Sequence, residues 1–432
     1  MNNGQEKNNF PSENNDKTTE SIELKDTSET KDANEIIDTN EIIDANETKD
    51  ENEEKELKET KRSEKKMRVP LFSKILLSIA AVCAVLYILF LNIPSLSDFF
   101  NKHISPIVRG ALSYLTTWIP FSLAEMLIIL IPVIIIVIVG IGVKKYSSSW
   151  RNVGVFCVIM LSIASYIFST YTLGFVPAYH GSTLDKKMEL QKEKVTVEEL
   201  YDTSILLAKK VNEESKSIVF NGAGSSVMPY GYEELNSKLM AAYDKAYKKY
   251  DFISPLHSNI KEVLLSEPMT YTHISGVYTF FTGEANINVN YPDYVLPYTA
   301  AHEFAHQRGI AREDEANFVA FLVCMESDDS YIRYSAYMNL YEYVAGALRR
   351  KNESYYLASY CTLSFGARAE LSAYSSFFKK YEKTIVSDVS NAVNDASLNF
   401  NGVEEGSASY GMVVDLAVAY YKANPDTPKE PQ

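Results

Sequence analysis

Polar and apolar positions divide the chain into three unequal parts. Residues 1–66 are almost wholly polar, rich in Asn, Glu, Asp, Lys and Thr and nearly free of aromatic side chains. Such a segment cannot bury enough apolar surface to offset the entropy of ordering, so it is predicted to be a disordered, acidic cytoplasmic tail. It echoes itself once, with Asn34-Glu35-Ile36-Ile37-Asp38 repeated as Asn40-Glu41-Ile42-Ile43-Asp44, a unit too short to be a structural repeat. Three long apolar runs follow, near 74–93, 123–143 and 153–175. Each can cross about 30 Å of hydrocarbon at 1.5 Å per residue. Residues 127–139 are almost purely Ile, Val and Leu. Pro132 among them would kink a soluble helix, whereas in lipid neighbouring segments satisfy the freed carbonyl. The pattern predicts three transmembrane helices within 67–177.

Beyond about residue 178 the apolar spacing changes to that of a mainly helical globular domain extending to 432. Helices are predicted near 195–211, 232–250, 296–307, 314–326, 332–351, 367–386 and 409–422. One stretch, 278–290, alternates like a strand, with Ile287 and Val289 on one face and Gly283 near its start. The expected fold is mainly α: three N-terminal transmembrane helices, then an α+β domain with a small edge sheet.

Charge adds orientation. The net charge of −14 owes much to acidic residues between Glu20 and Glu59, and nothing resembles a basic face, which excludes nucleic-acid binding. Lys61, Arg62, Lys65, Lys66, Arg68 and Lys74 precede the first apolar run, and Lys144, Lys145 and Arg151 separate the second from the third. The first loop carries only Lys102 and Arg109. The positive-inside rule puts the N-terminus and the second loop in the cytoplasm, so three crossings leave 178–432 on the outer face of the cell membrane. Trp118 and Trp150 suit the two interfaces. An outer location would permit a disulfide between Cys324 and Cys361; two buried thiols are the alternative.

The candidate chemistry lies in His302-Glu303-Phe304-Ala305-His306. On a helix, positions i and i+4 share a face, so both imidazoles can reach one metal ion while the Glu points to a metal-activated water. With six histidines in 432 residues, a chance match is expected only about 0.01 times. A catalytic zinc needs a third protein ligand and an open position. One template puts Gly309 where its glycine belongs but finds Arg312 where a third His should stand. A second takes a Glu from the next helix, which Glu313 supplies, with Asn317 supporting a histidine; Glu315 is the rival ligand. The turn from His306 to Glu313 is short, and Gly309 makes it possible. Glu303 would be the catalytic base. Tyr331, Arg333, Tyr334 and Tyr337 are candidates to stabilise an oxyanion. The strand containing residues 282–288 is expected to pair with a substrate backbone, and Glu284 either recognises a substrate amine or is a plain surface carboxylate. His257 and His273 read as structural.

The segments Gly-Val-Tyr (276–278), Phe-Thr-Gly-Glu-Ala-Asn (281–286), the run 296–311, Glu-Asp-Glu-Ala-Asn-Phe (313–318), Tyr-Ser-Ala-Tyr (334–337) and 409–416 resemble a bacterial family of membrane proteins catalogued as domain of unknown function 3810. The Glu313-to-Asn317 segment is also similar to the third-ligand helix of membrane peptidases related to the CAAX prenyl protease and to antibiotic-sensing receptor peptidases. The resemblance implies a zincin-like metallopeptidase fold but no substrate. Three functions are therefore expectations. The first is a membrane-anchored zinc metallopeptidase that cuts a peptide or protein substrate. The others are a sensor with a zinc-binding ectodomain and an inactive zincin.

Overall fold

A computed structural model describes residues 67–191, 193–382, 388, 392 and 412–425. The predicted tail at 1–66, the end of the predicted helix 367–386 and the start of 409–422 lie outside these residues. Residues Met67–Gln432 form one compact unit, so the apolar helices and the globular part share it.

The three apolar helices are α1 (Leu71–Asn92), α4 (Leu123–Ile141) and α5 (Trp150–Gly174). Each is long and apolar enough to cross a bilayer. Helix α4 exposes Ile, Val and Leu on every side, which water would not tolerate over such a length. It runs on into a π-helical turn, Gly142–Tyr146, that carries Lys144 and Lys145. The first loop is built of two helices, α2 (Pro94–His103) and α3 (Ser105–Thr117), each with proline in its first turn, where a missing N–H costs nothing.

The globular part is built on α6 (Val197–Ser215), α7 (Tyr232–Lys249), α8 (Val295–Gln307), α9 (Glu313–Met325), α10 (Ser330–Lys351), α11 (Glu353–Thr362), α12 (Phe365–Phe378) and α13 (Met412–Ala423). Caps explain several starts. Thr196 and Glu199 close a reciprocal capping box on α6, and Asp329, Asn352 and Ser364 accept backbone N–H groups at the heads of α10, α11 and α12. The stripe α6 buries is Leu200, Thr203, Ser204, Leu207, Ala208 and Val211, so two hydroxyls occupy core positions while Ile205 and Leu206 are half-buried. Ser204 resolves this by hydrogen bonding Ser359 at 2.5 Å. Helices α8, α9 and α10 form the centre of the core; full burial of a side chain such as Phe304, Phe318 or Phe321 stabilises by about 1.5–3 kcal/mol.

The sheet has three strands, β1 (Ile260–Glu262), β2 (Gly276–Thr279) and β3 (Glu284–Ile287), in the order β1-β3-β2. Strand β3 pairs parallel with β1 and antiparallel with β2. The single strand expected at 278–290 is therefore a β2–β3 hairpin turned at Gly283, and β3 is its buried centre. Both of β3's edges are taken, so it cannot accept a substrate strand; β2 is the edge that lies against α8.

Cys324 is buried in α9, Cys361 is exposed on α11, and they are not bonded to each other.

Candidate metal centre

Helix α8 is buried on all sides except at His302. Such a helix needs apolar or small residues almost throughout, and Ala300, Ala301, Phe304 and Ala305 supply them around the three polar residues. The helix stops at Gly309. Ile310 N–H donates to Ala305 O (3.1 Å) and Gly309 N–H to His306 O (3.0 Å), the two bonds of a Schellman turn, with Gly309 at φ +90°. The turn delivers two functional groups at once. It brings the Ile310 carbonyl to His306 Nδ1 at 2.7 Å. It also starts α9 facing back toward α8.

Glu313, the first residue of α9, lies against both histidines. Its Oε2 is 3.3 Å from His302 Nε2 and its Oε1 is 3.5 Å from His306 Nε2. Among the described residues this is the one group of three His, Cys, Asp or Glu side chains whose candidate ligand atoms all lie within 4.8 Å of one another. Adjacent ligands on a tetrahedral zinc with 2.0–2.1 Å bonds stand about 3.3–3.4 Å apart, and each histidine lies at about that distance from one Glu313 oxygen. The Ile310 carbonyl holds the proton of His306 on Nδ1 and leaves the Nε2 lone pair toward Glu313, as a metal ligand requires. Without a cation the groups brace one another. Burial disfavours charge on His306, yet Glu313 lifts its pKa to about 9. Burial pushes the Glu313 carboxyl up, and the His306 charge overrides it and holds Glu313 well below the usual carboxylate range.

Glu315 turns the other way. It accepts the backbone N–H of Leu184 at 2.9 Å and lies 3.9 Å from Arg312, and burial raises its pKa to about 7. Of the two rivals, only Glu313 meets the histidines. Glu303 is buried beside them. Burial raises its pKa, and the charges of His302 and His306 partly offset this. Gly276 of β2 presses on it: a Cβ there would stand 2.6 Å from Glu303 Oε1 and 2.7 Å from Thr299 Cγ2. Phe175, just past α5, packs its ring 6.2 Å from that of His306.

Several expectations are corrected. Asn317 does not support a histidine. Its Oδ1 accepts from Tyr343 (3.4 Å) and Tyr298 (3.5 Å), because one helical turn carries it past Glu313 toward α10. The proposed oxyanion group is engaged elsewhere: Tyr331 with Ser226, Tyr334 with Glu370, Arg333 with Glu214, and Tyr337 packed on Phe321. The tyrosine near the cluster is Tyr343, whose phenol is pushed up by burial and by Glu313. Its position three turns along α10 hid it among 30 tyrosines. His257 pairs with Asp244, and His273 meets the Tyr381 carbonyl, away from the centre.

Glu284 is neither a substrate contact nor a surface carboxylate. It is buried, and it accepts the first two N–H groups of α4, Leu123 and Ala124, each at 2.9 Å. Ser122 takes the third, from Glu125. An anion at a helix N-terminus is doubly favourable there. Glu284→Ala is expected to cost about 1–3 kcal/mol by orphaning both donors. A thermal midpoint of the detergent-solubilised chain equal to wild type would refute this role.

The family model described as "Protein of unknown function (DUF3810)" matches residues 100–418. No curated protein and no solved structure matches the chain.

Proposed function

The chain belongs to the DUF3810 family, and we propose that it is a membrane-anchored zinc metallopeptidase acting at the outer membrane face. The observation that carries this reading is the meeting of His302, His306 and Glu313 beside the buried Glu303. A zinc ion in that donor set supplies a Lewis acid and an acidified water molecule. His306 would hold it with a tautomer fixed by Ile310, His302 from the accessible side of α8, and Glu313 from the head of α9. Glu303 is suited to take a proton from water and return it to the leaving amine. The β2 edge, adjacent to Glu303 through Gly276, is the candidate strand for aligning a substrate backbone.

The cation bias alone sets which side is outer; the packing supports the three-span topology. Helices α2 and α3 lie between the first and second spans, and the globular part follows the third. With three spans these two regions share one side of a membrane, and they are in contact. Asn101 Nδ2 donates to Gly309 O at 2.9 Å, and Gln307 Nε2 to Ser113 Oγ at 3.1 Å.

The test is metal content of the purified full chain. Wild type is expected to carry about one zinc ion, with His306→Ala and Glu313→Ala losing it and Glu315→Gln retaining it. Folded wild-type protein without zinc, or full zinc in Glu313→Ala, would overturn the ligand set.

A further inference from the structure

Helix α3 reverses the ordinary amphipathic pattern. A water-facing helix buries its apolar stripe, but α3 buries Ser105, Arg109, Ser113 and Thr116. Its exposed face and C-cap carry Ile107, Tyr114, Leu115 and Trp118, which are 70%, 64%, 70% and 77% exposed. The buried polar face is consumed by the protein. Ser105 donates to Leu173 O (2.6 Å), and Arg109 to Gly174 O (2.7 Å), Asn101 Oδ1 (3.0 Å) and Arg308 O (3.4 Å). Ser113 accepts from Gln307, and Thr116 donates to Thr282 O (3.2 Å). What α3 turns outward is therefore apolar.

Its two ends fix its direction. Ser105 sits at Leu173, in the last turn of the third span. Past its other end, Leu123 begins the second span. Both points mark the same boundary of the apolar belt, so a helix joining them runs along that boundary for about 20 Å. Lys261 closes the far end by donating to Thr116, Thr117 and Ile119 carbonyls, where a cation suits the helix dipole. The metal-centre side of the globular part rests directly on α3. A Cβ on Gly283 would stand 2.6 Å from Ser113 N, and one on Gly309 2.5 Å from Arg109 Nη2.

We propose that α3 lies in the membrane plane with Ile107, Tyr114, Leu115 and Trp118 in lipid, seating the candidate centre about one helix diameter, roughly 10 Å, above the acyl chains. The centre then takes polypeptides tethered to the bilayer and cuts them close to the anchor. The lipid contact stands on α3 alone; the substrate class rests on the peptidase reading.

Two measurements on the full chain in liposomes separate these claims. The chain has two tryptophans, so Trp150→Phe isolates Trp118, and Trp118→Phe gives the same signal by difference. Lipids brominated near the head of the acyl chain are expected to quench Trp118 by more than half, and aqueous iodide hardly at all. Ready quenching by iodide would overturn the placement. Shielding from both quenchers would also overturn it, since a second protein copy would then cover the face. For the substrate class, the probes are acyl-anchored quenched-fluorescent peptides. One has a spacer of about five residues, which reaches about 17 Å, and the other a spacer of about thirty. The short spacer is expected to be cut about tenfold faster. Equal rates would overturn the substrate class alone. No cleavage of either, with Trp118 in lipid, would overturn the peptidase reading and the substrate class and leave the lipid seating intact.

Discussion

Glu303→Gln is expected to lower peptide hydrolysis by about 10²–10⁴-fold, the range for loss of a positioned general base, while zinc content stays at the wild-type level. The substitution is nearly isosteric. The amide keeps the shape of the carboxyl group against Gly276 and Thr299. Glu303 is also absent from the three-residue cluster, so its charge would not be needed to hold the proposed ion. Burial of an ionisable side chain costs stability, so the thermal midpoint should stay level or rise. Turnover of a quenched-fluorescent peptide pool by the full chain, with zinc and the thermal midpoint measured on the same sample, checks all three points. Activity retained in Glu303→Gln would remove the proposed base. Zinc lost with the activity would make Glu303 a ligand instead.

Gly309→Ala is expected to disable the centre from outside the ligand set. At φ +90° a non-glycine residue costs about 1–3 kcal/mol in backbone strain alone. The added Cβ would also stand 2.5 Å from Arg109 Nη2 and from Asn101 Oδ1, groups that tie the turn to α2, α3 and the end of the third span. Relief requires the turn to move, and the Ile310 carbonyl moves with it, away from His306 Nδ1. Loss of such an outer partner typically costs 10–100-fold in metal affinity. The prediction is a thermal midpoint lower by about 5 °C or more and zinc binding weakened at least tenfold. Gly346→Ala is the control. It sits inside α10, and its Cβ would make only an ordinary 3.8 Å contact with Arg350, so it should be neutral or slightly stabilising. Wild-type zinc affinity and midpoint in Gly309→Ala would show that the turn does not support the site.

The corrections share a cause. Features carried by local spacing were legible in the chain. The three apolar helices, the pairing of His302 with His306 on one face of α8, and the need for glycine at 309 all follow from residues within a turn or two of one another. Features that depend on what an element packs against were not. Strand β3 alternates like an edge strand, yet β1, some 25 residues earlier, takes its second edge. Glu284 looks like a surface carboxylate until α4, 160 residues away in sequence, presents its unpaired N–H groups. Tyr331 and Tyr334 stand near the motif in sequence, but α10 turns them toward Ser226 and Glu370, while Tyr343 comes round to Asn317.

By itself, then, the sequence determined the membrane-spanning segments, the helical character of the rest and two of the three clustered side chains, because hydrophobic length and helical period act locally. Only the tertiary structure decided between Glu313 and Glu315, which lie two positions apart on one turn and point to different neighbours. It alone showed that α3 buries its polar face and leaves its apolar face outward. Which face of a helix is inside depends on the partners it meets, and long-range packing supplies those.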